Sequence, residues 1–141
     1  MSPLDLPPTT ESVPAARRFV REQLADSELD VDTAVLLGSE LVTNAILHAR
    51  TQVTVTVDLH VDLARISVRD RSPVQPRIHA FSTSAATGRG LRLLDRLAER
   101  WGVDSESPTD GKVVWFEVGP PSQAAWTAFA DDWLEGAGND L

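Results

Sequence analysis

The chain is predicted to fold as an α/β two-layer sandwich (an α+β arrangement), a mixed, largely antiparallel sheet covered on one face by helices. Three observations point there. Apolar residues recur at helical spacing over 13–25 and again from Val31 to Ala49. Val53, Val55, Val57, Leu59 and Val61 then alternate with polar residues, as do Ala64, Ile66 and Val68 after a short connection at Asp62–Leu63. Strands that bury only one face need a layer of helices over it.

Taken in order, residues 1–11 are rich in Pro, Ser and Thr and read as a loose N-terminal arm. Ser12 is expected to cap a first helix, whose apolar stripe is Ala16, Phe19, Val20 and Leu24. Its other face carries Arg17, Arg18, Arg21 and Glu22, a solvated face or a basic contact for an acidic partner. The central helix is expected to start at an Asp32 N-cap and to bury Leu41, Val42, Ala45 and Ile46. Ser39, Glu40, Thr43, Asn44 and His48 fall on its second side, which has no Lys or Arg. Glu40 and Asn44 are an i, i+4 pair, and burying either without a partner is costly.

The alternating runs form an antiparallel hairpin that ends at Asp70, with His60 on the exposed side. No periodicity survives from Arg71 to Thr87, and the segment 74–87 is expected to act as a lid. Gly88-Arg89-Gly90 then opens a helix marked by Leu91, Leu94, Leu97, Ala98 and Trp101. Val103 to Ser107 and Lys112 to Val118 read as a final hairpin, with Trp115 and Phe116 on opposite faces. The domain is expected to span 12–119. Residues 120–141 form an acidic extension in which Trp126, Phe129 and Trp133 recur on a helix, either docked on the domain or offered to a partner.

Composition narrows the chemistry. At 141 residues there is chain for one domain with a real core. There is no cysteine, hence no disulfide, thiol nucleophile or cysteine zinc site. No apolar run approaches membrane-spanning length, and no signal peptide is evident, so a cytoplasmic location is the expectation. The formal net charge is −8, and Arg supplies every Lys or Arg position except Lys112. An acidic chain without a basic stripe is a poor candidate for direct nucleic-acid binding. Nucleotides stay open, because backbone amides and a metal ion can hold their phosphates.

Three signals follow one another in a fixed order: Glu40 with Asn44 on a helix, Asp70 at a strand end, and Gly88-x-Gly90 opening a helix. Each has a use in holding Mg-ATP. Asn44 offers a hard oxygen suited to Mg²⁺. Asp70 can accept a hydrogen bond from the amino group of a base. The glycines let backbone amides approach phosphates at a favourable helix dipole. Glu40, beside the metal, can orient or deprotonate an attacking hydroxyl.

The ordered set resembles the GHKL superfamily, whose Bergerat ATP-binding fold is shared by DNA gyrase, the Hsp90 chaperone, histidine kinases and MutL. Within it the likeness is closest to bacterial anti-sigma factor serine-protein kinases, over roughly Ser12 to Val118. Glu40-Leu-Val-Thr-Asn44-Ala-Ile-Leu-His48-Ala matches the N box. That resemblance implies Asn44 as the Mg²⁺ ligand and Glu40 as the base. It also implies Asp70 as the adenine reader and Thr87-Gly88-Arg89-Gly90-Leu91 as the phosphate-binding glycine box. Gly111-Lys-Val-Val-Trp-Phe116 resembles the closing strand. Two departures are visible. The family's Asp-x-Gly-x-Gly is here Asp70-Arg71-Ser72-Pro73-Val74, and Val113 and Val114 stand where a Thr is often found near the adenine.

The resemblance implies an ATP-dependent protein kinase that phosphorylates a serine of an anti-sigma-factor antagonist. It also implies sequestration of a sigma factor, and dimerisation. The alternative is a non-catalytic ATP-binding module of the same fold that switches partners. The catalytic half of a two-component histidine kinase is disfavoured, because the chain leaves no room for a dimerisation domain. A structural role without nucleotide is the remaining rival.

Overall fold

Strand alternation builds the sheet. A computed structural model describes residues 3–72, 93–104 and 111–121 of the chain. Five strands, β1 (Leu4–Leu6), β2 (Val53–Leu59), β3 (Ala64–Asp70), β4 (Arg100–Asp104) and β5 (Lys112–Val118), form one sheet. Their order is β1-β2-β3-β5-β4, and all four pairings are antiparallel. Val53, Val55, Val57, Ala64, Ile66, Val68, Val114, Phe116 and Val118 turn to the core, each at most 6% exposed. Burying a side chain such as Phe116 or Ile66 contributes about 1.5–3 kcal/mol relative to leaving it in water.

Helix α1 (Ser12–Gln23) packs on helix α2 (Val31–His48), which lies across β2, β3 and β5. α2 is buried nearly all round, from Thr33 to Ile46, with Leu47 and His48 exposed at its end. The predicted architecture of helices over one face of an antiparallel sheet is therefore the observed one. A further helical segment over 93–97 buries Leu93 and Leu94. The lid segment 74–87, the glycine box and the aromatic extension lie outside the described residues.

Several local expectations are corrected. Residues 4–6 are not loose: Leu4↔Val55 to Leu6↔Val53 make them an edge strand, and Leu6 is buried. Ser12 does not cap α1 but lies inside it, its hydroxyl donating to the carbonyl of Pro7 at 2.6 Å. The cap of α2 is Asp30 rather than Asp32. Its carboxylate accepts from the Thr33 amide at 3.2 Å and the Thr33 hydroxyl at 2.6 Å, satisfying an orphan donor of the first turn. Trp101 belongs to β4, not to a helix, because the Glu99 amide already joins the sheet at the Glu117 carbonyl, 2.8 Å away. The last hairpin consequently starts at Arg100 instead of Val103.

On the outer face of the sheet, Glu117 is buried between two guanidinium groups. Arg100 Nε donates to Oε1 at 2.7 Å, and Arg65 Nε donates to Oε2 at 3.0 Å. Arg65 also lies 3.9 Å from the centroid of the Trp115 ring, which covers Gly102 closely enough that a Cβ there would meet the ring at 2.7 Å. The Arg100 hydrogen bond first, and the Arg65 bond after it, hold the Glu117 carboxyl below the usual carboxylate range against the opposing effect of burial.

A depressed carboxylate stabilises the fold above its unfolded pKa of about 4.3 and loses that contribution as pH falls through the lower folded value. Glu117→Gln is therefore expected to cost about 1–2 kcal/mol at pH 7, limited by the partly exposed arginines. The difference from wild type should shrink below pH ~4.3, as read by urea denaturation across that range. A second variant tests the turn into β5. Gly111 has φ +85°, and a Cβ there would lie 2.0 Å from the carbonyl oxygen of Asp70. Gly111→Ala adds a left-handed penalty of about 1–2 kcal/mol to that backbone clash. Its urea midpoint should fall accordingly.

Candidate functional site

The site lies where α2 crosses the ends of β3 and β5. Leu41, Asn44 and Ala45 of α2, Val68 and Asp70 of β3, and Lys112 and Val114 of β5 line a recess whose enclosed volume is about 10 Å³, the room of one water. Asn44 turns into it beside Leu41 and Ala45, at spacings of three and four along the helix. It thus belongs with part of the side read as core, not on an opposite polar side.

The polar residues of α2 separate by their partners. Ser39 Oγ donates to the Leu36 carbonyl at 2.9 Å, and Thr43 Oγ1 donates to the Ser39 carbonyl at 2.7 Å. Both hydroxyls are satisfied within the helix. Asn44 is 5% exposed, and its Oδ1 is buried with no hydrogen-bond partner among the described residues. A buried amide oxygen left unpaired costs about 1–3 kcal/mol. The one other buried side-chain atom without a partner among the described residues is Trp115 Nε1, on the outer face of the sheet. A carboxamide oxygen is a hard donor of the kind that Mg²⁺ takes alongside phosphate oxygens and water. Asn44 therefore fits the metal position. Among the described residues, no three His, Cys, Asp or Glu gather to offer another.

Asp70 is held by its strand and by the turn that follows. It pairs with Lys112 in the β3–β5 register and is 2% exposed. The Ser72 amide donates to Oδ1 at 3.0 Å, and Lys112 Nζ lies 3.7 Å from Oδ2. Burial pushes the Lys112 ammonium below the usual lysine range, and the Asp70 carboxylate pulls it part of the way back. Gly111 lets the β5 backbone pass against Asp70 and Arg71, so the strand end and its carboxylate sit in one place.

Two of the residues singled out from the sequence, Asn44 and Asp70, are thus brought to one recess. Glu40 stands one turn earlier on α2, half-buried and outside the recess lining. Thr87, Gly88, Arg89, Gly90 and Leu91 lie outside the described residues, as does Val74. Lys112 and Gly111 escaped the sequence reading. The one available signal was that Lys112 is the chain's lone lysine.

Comparison with known proteins bears on the family and the fold. The model of the histidine kinase-like ATPase domain matches residues 6–118. No curated protein sequence matches significantly. Among solved structures, the fold is similar to the histidine kinase domain of the blue-light activated histidine kinase from Erythrobacter litoralis EL346. The TM-score is 0.51 at 18% identity, over 77% of this chain and 59% of that one. The chain thus matches little more than half the length of that domain, and at such identity the likeness speaks for the fold. With its antiparallel sheet, its covering helices and a family match over most of its length, the chain belongs to the histidine kinase-like ATPase domain family.

Proposed function

We propose that this chain is an ATP-dependent serine-protein kinase that regulates a sigma factor by phosphorylating a serine of an anti-sigma-factor antagonist. The observation that carries the nucleotide part is the unpartnered Asn44 Oδ1, buried in the recess that Asp70 also lines. ATP binding is what the family leads one to expect. Asn44 would hold Mg²⁺, which shields phosphate charge when bound. Asp70 accepts the adenine amino group, and Glu40 acts on the incoming serine hydroxyl. The choice of serine, and of an antagonist as its bearer, rests on the likeness of Glu40-Leu-Val-Thr-Asn44-Ala-Ile-Leu-His48-Ala to the N box of the anti-sigma factor kinases. The sigma factor and the antagonist are accordingly proposed as protein partners, and a homodimer as the assembly.

Incubation with Mg-ATP and a candidate antagonist, followed by mass spectrometry for phosphoserine, tests the whole reading. A chain that binds ATP and the partner without transferring phosphate is instead the non-catalytic module. Three variants divide the labour within the site. Asp70→Asn removes a charged acceptor and should weaken ATP binding by about 1.5–3 kcal/mol, roughly ten- to hundredfold in calorimetry. Asn44→Ala should weaken Mg-ATP binding and abolish transfer with it. Glu40→Gln keeps shape and hydrogen bonding but loses the base. It should bind ATP as wild type does, while single-turnover phosphorylation slows by about 10²–10⁴-fold. Wild-type turnover by Glu40→Gln leaves Glu40 a structural carboxylate.

A further inference from the structure

We propose that Lys112 is a built-in competitor for the base-reading carboxylate, so that this side chain limits the affinity of the recess for ATP. The inference rests on the nucleotide reading above and adds a specificity-determining residue to it. Lys112 is the only lysine of the chain, and it stands opposite Asp70 in the β3–β5 register. Both side chains are largely withdrawn from solvent, Asp70 at 2% and Lys112 at 16% exposure. Both line the recess that Asn44 faces.

The Ser72 amide donates to Oδ1 at 3.0 Å, and the Lys112 ammonium stands 3.7 Å from Oδ2, an ion pair rather than a hydrogen bond. A base entering the recess needs an Asp70 lone pair for its exocyclic amino group. Each carboxylate oxygen has a second lone pair to offer, but the base must stand in the small recess that the Lys112 side chain lines together with Asp70. Of the two donors only Lys112 is a side chain, the Ser72 amide being fixed in the turn that ends β3. Lys112 is therefore the donor that yields. Until it does, the site is not competent, and the apparent affinity falls by the fraction of molecules in which Asp70 is released. Burial lowers the basicity of Lys112 and the Asp70 carboxylate opposes that effect, which is the attraction an entering base has to overcome.

The sign of one substitution separates this from an ordinary binding lysine. Removing a positive charge near a polyanionic ligand weakens binding by Coulomb's law. Removing an internal competitor strengthens it. Calorimetry with Mg-ATP on wild type and Lys112→Met should show the variant binding at least tenfold tighter. Mg-tripolyphosphate, which has no base, should show no gain. Unchanged or weaker ATP binding by Lys112→Met, with wild type still binding, overturns the competition and leaves the nucleotide reading intact. Failure of both proteins to bind ATP removes that reading and the competition together.

Lys112→Met leaves Asp70 without its ammonium partner and can unfold the chain, so a second measurement uses wild type. Acetic anhydride labelling of the amine, followed at Lys112 by mass spectrometry, reports whether it is held or released. Saturating Mg-ATP should raise the labelling rate severalfold, and Mg-tripolyphosphate should leave it unchanged. A rate that stays level or falls with ATP overturns the proposal.

Discussion

The register of β3 against β5 is the constraint on which the rest of the molecule depends. Ile66↔Phe116 and Val68↔Val114 put these four apolar side chains under the helices. Successive residues of a strand face opposite ways, so a slip of one position would turn Phe116 to water and Trp115 to the core. The same register carries Asp70↔Lys112 at the strand ends, and parity sends both side chains to the helix layer with the apolar residues. The polar recess is thus a continuation of the core rows, begun where the apolar residues stop. Gly111 makes it possible, because any side chain there would strike the Asp70 backbone.

Burying polar groups is affordable only with partners, and the chain uses two solutions on its two sheet faces. On the outer face Glu117 is enclosed by Arg65 and Arg100, and the Arg65 guanidinium is also stacked on Trp115. The two guanidinium groups share one carboxylate and tie β3, β5 and β4 together, while the Trp115 Nε1 beside them is buried with no hydrogen-bond partner among the described residues. On the inner face Asp70 has Ser72 and Lys112, yet Asn44 Oδ1 has no partner among the described residues. Among the described residues each face thus keeps one unpartnered buried polar side-chain atom, and what distinguishes the inner cluster is that its carboxamide, carboxylate and ammonium line one recess.

Much of this was legible in advance, for physical reasons. Period-two alternation located β2 and β3 to within a residue or two because their buried faces tolerate no polar intrusion. The helix boundaries were less legible. Asp30 and Asp32 are equally good caps by composition, and only the backbone at Thr33 decides for Asp30. Trp101 misled because Leu94, Leu97, Ala98 and Trp101 keep a helical spacing across a junction where the chain has already joined the sheet. Leu4 to Leu6 misled in the opposite way: three residues flanked by prolines carry too little pattern to announce a strand, and the existing edge of β2 supplies the order.

The site was half legible for a related reason. Asn44 and Asp70 stand out through their order in the chain, a helical Asn followed by an Asp at a strand end, although the sequence reading put Asn44 on the polar side of its helix. Lys112 does not, since a lysine at the start of a strand is ordinarily a solvated residue. Its meaning comes from a pairing across forty-odd residues of chain that no local pattern encodes. Two aliphatic residues, Val113 and Val114, follow it where the family often has a threonine. Val113 points to the outer face and Val114 lines the recess, so β5 offers the recess one cation and one apolar wall and no side-chain hydroxyl. Under the proposed reading, a base admitted here would meet Asp70 only with Lys112 displaced, so the strand opposite the aspartate would weigh as much in recognition as the aspartate itself.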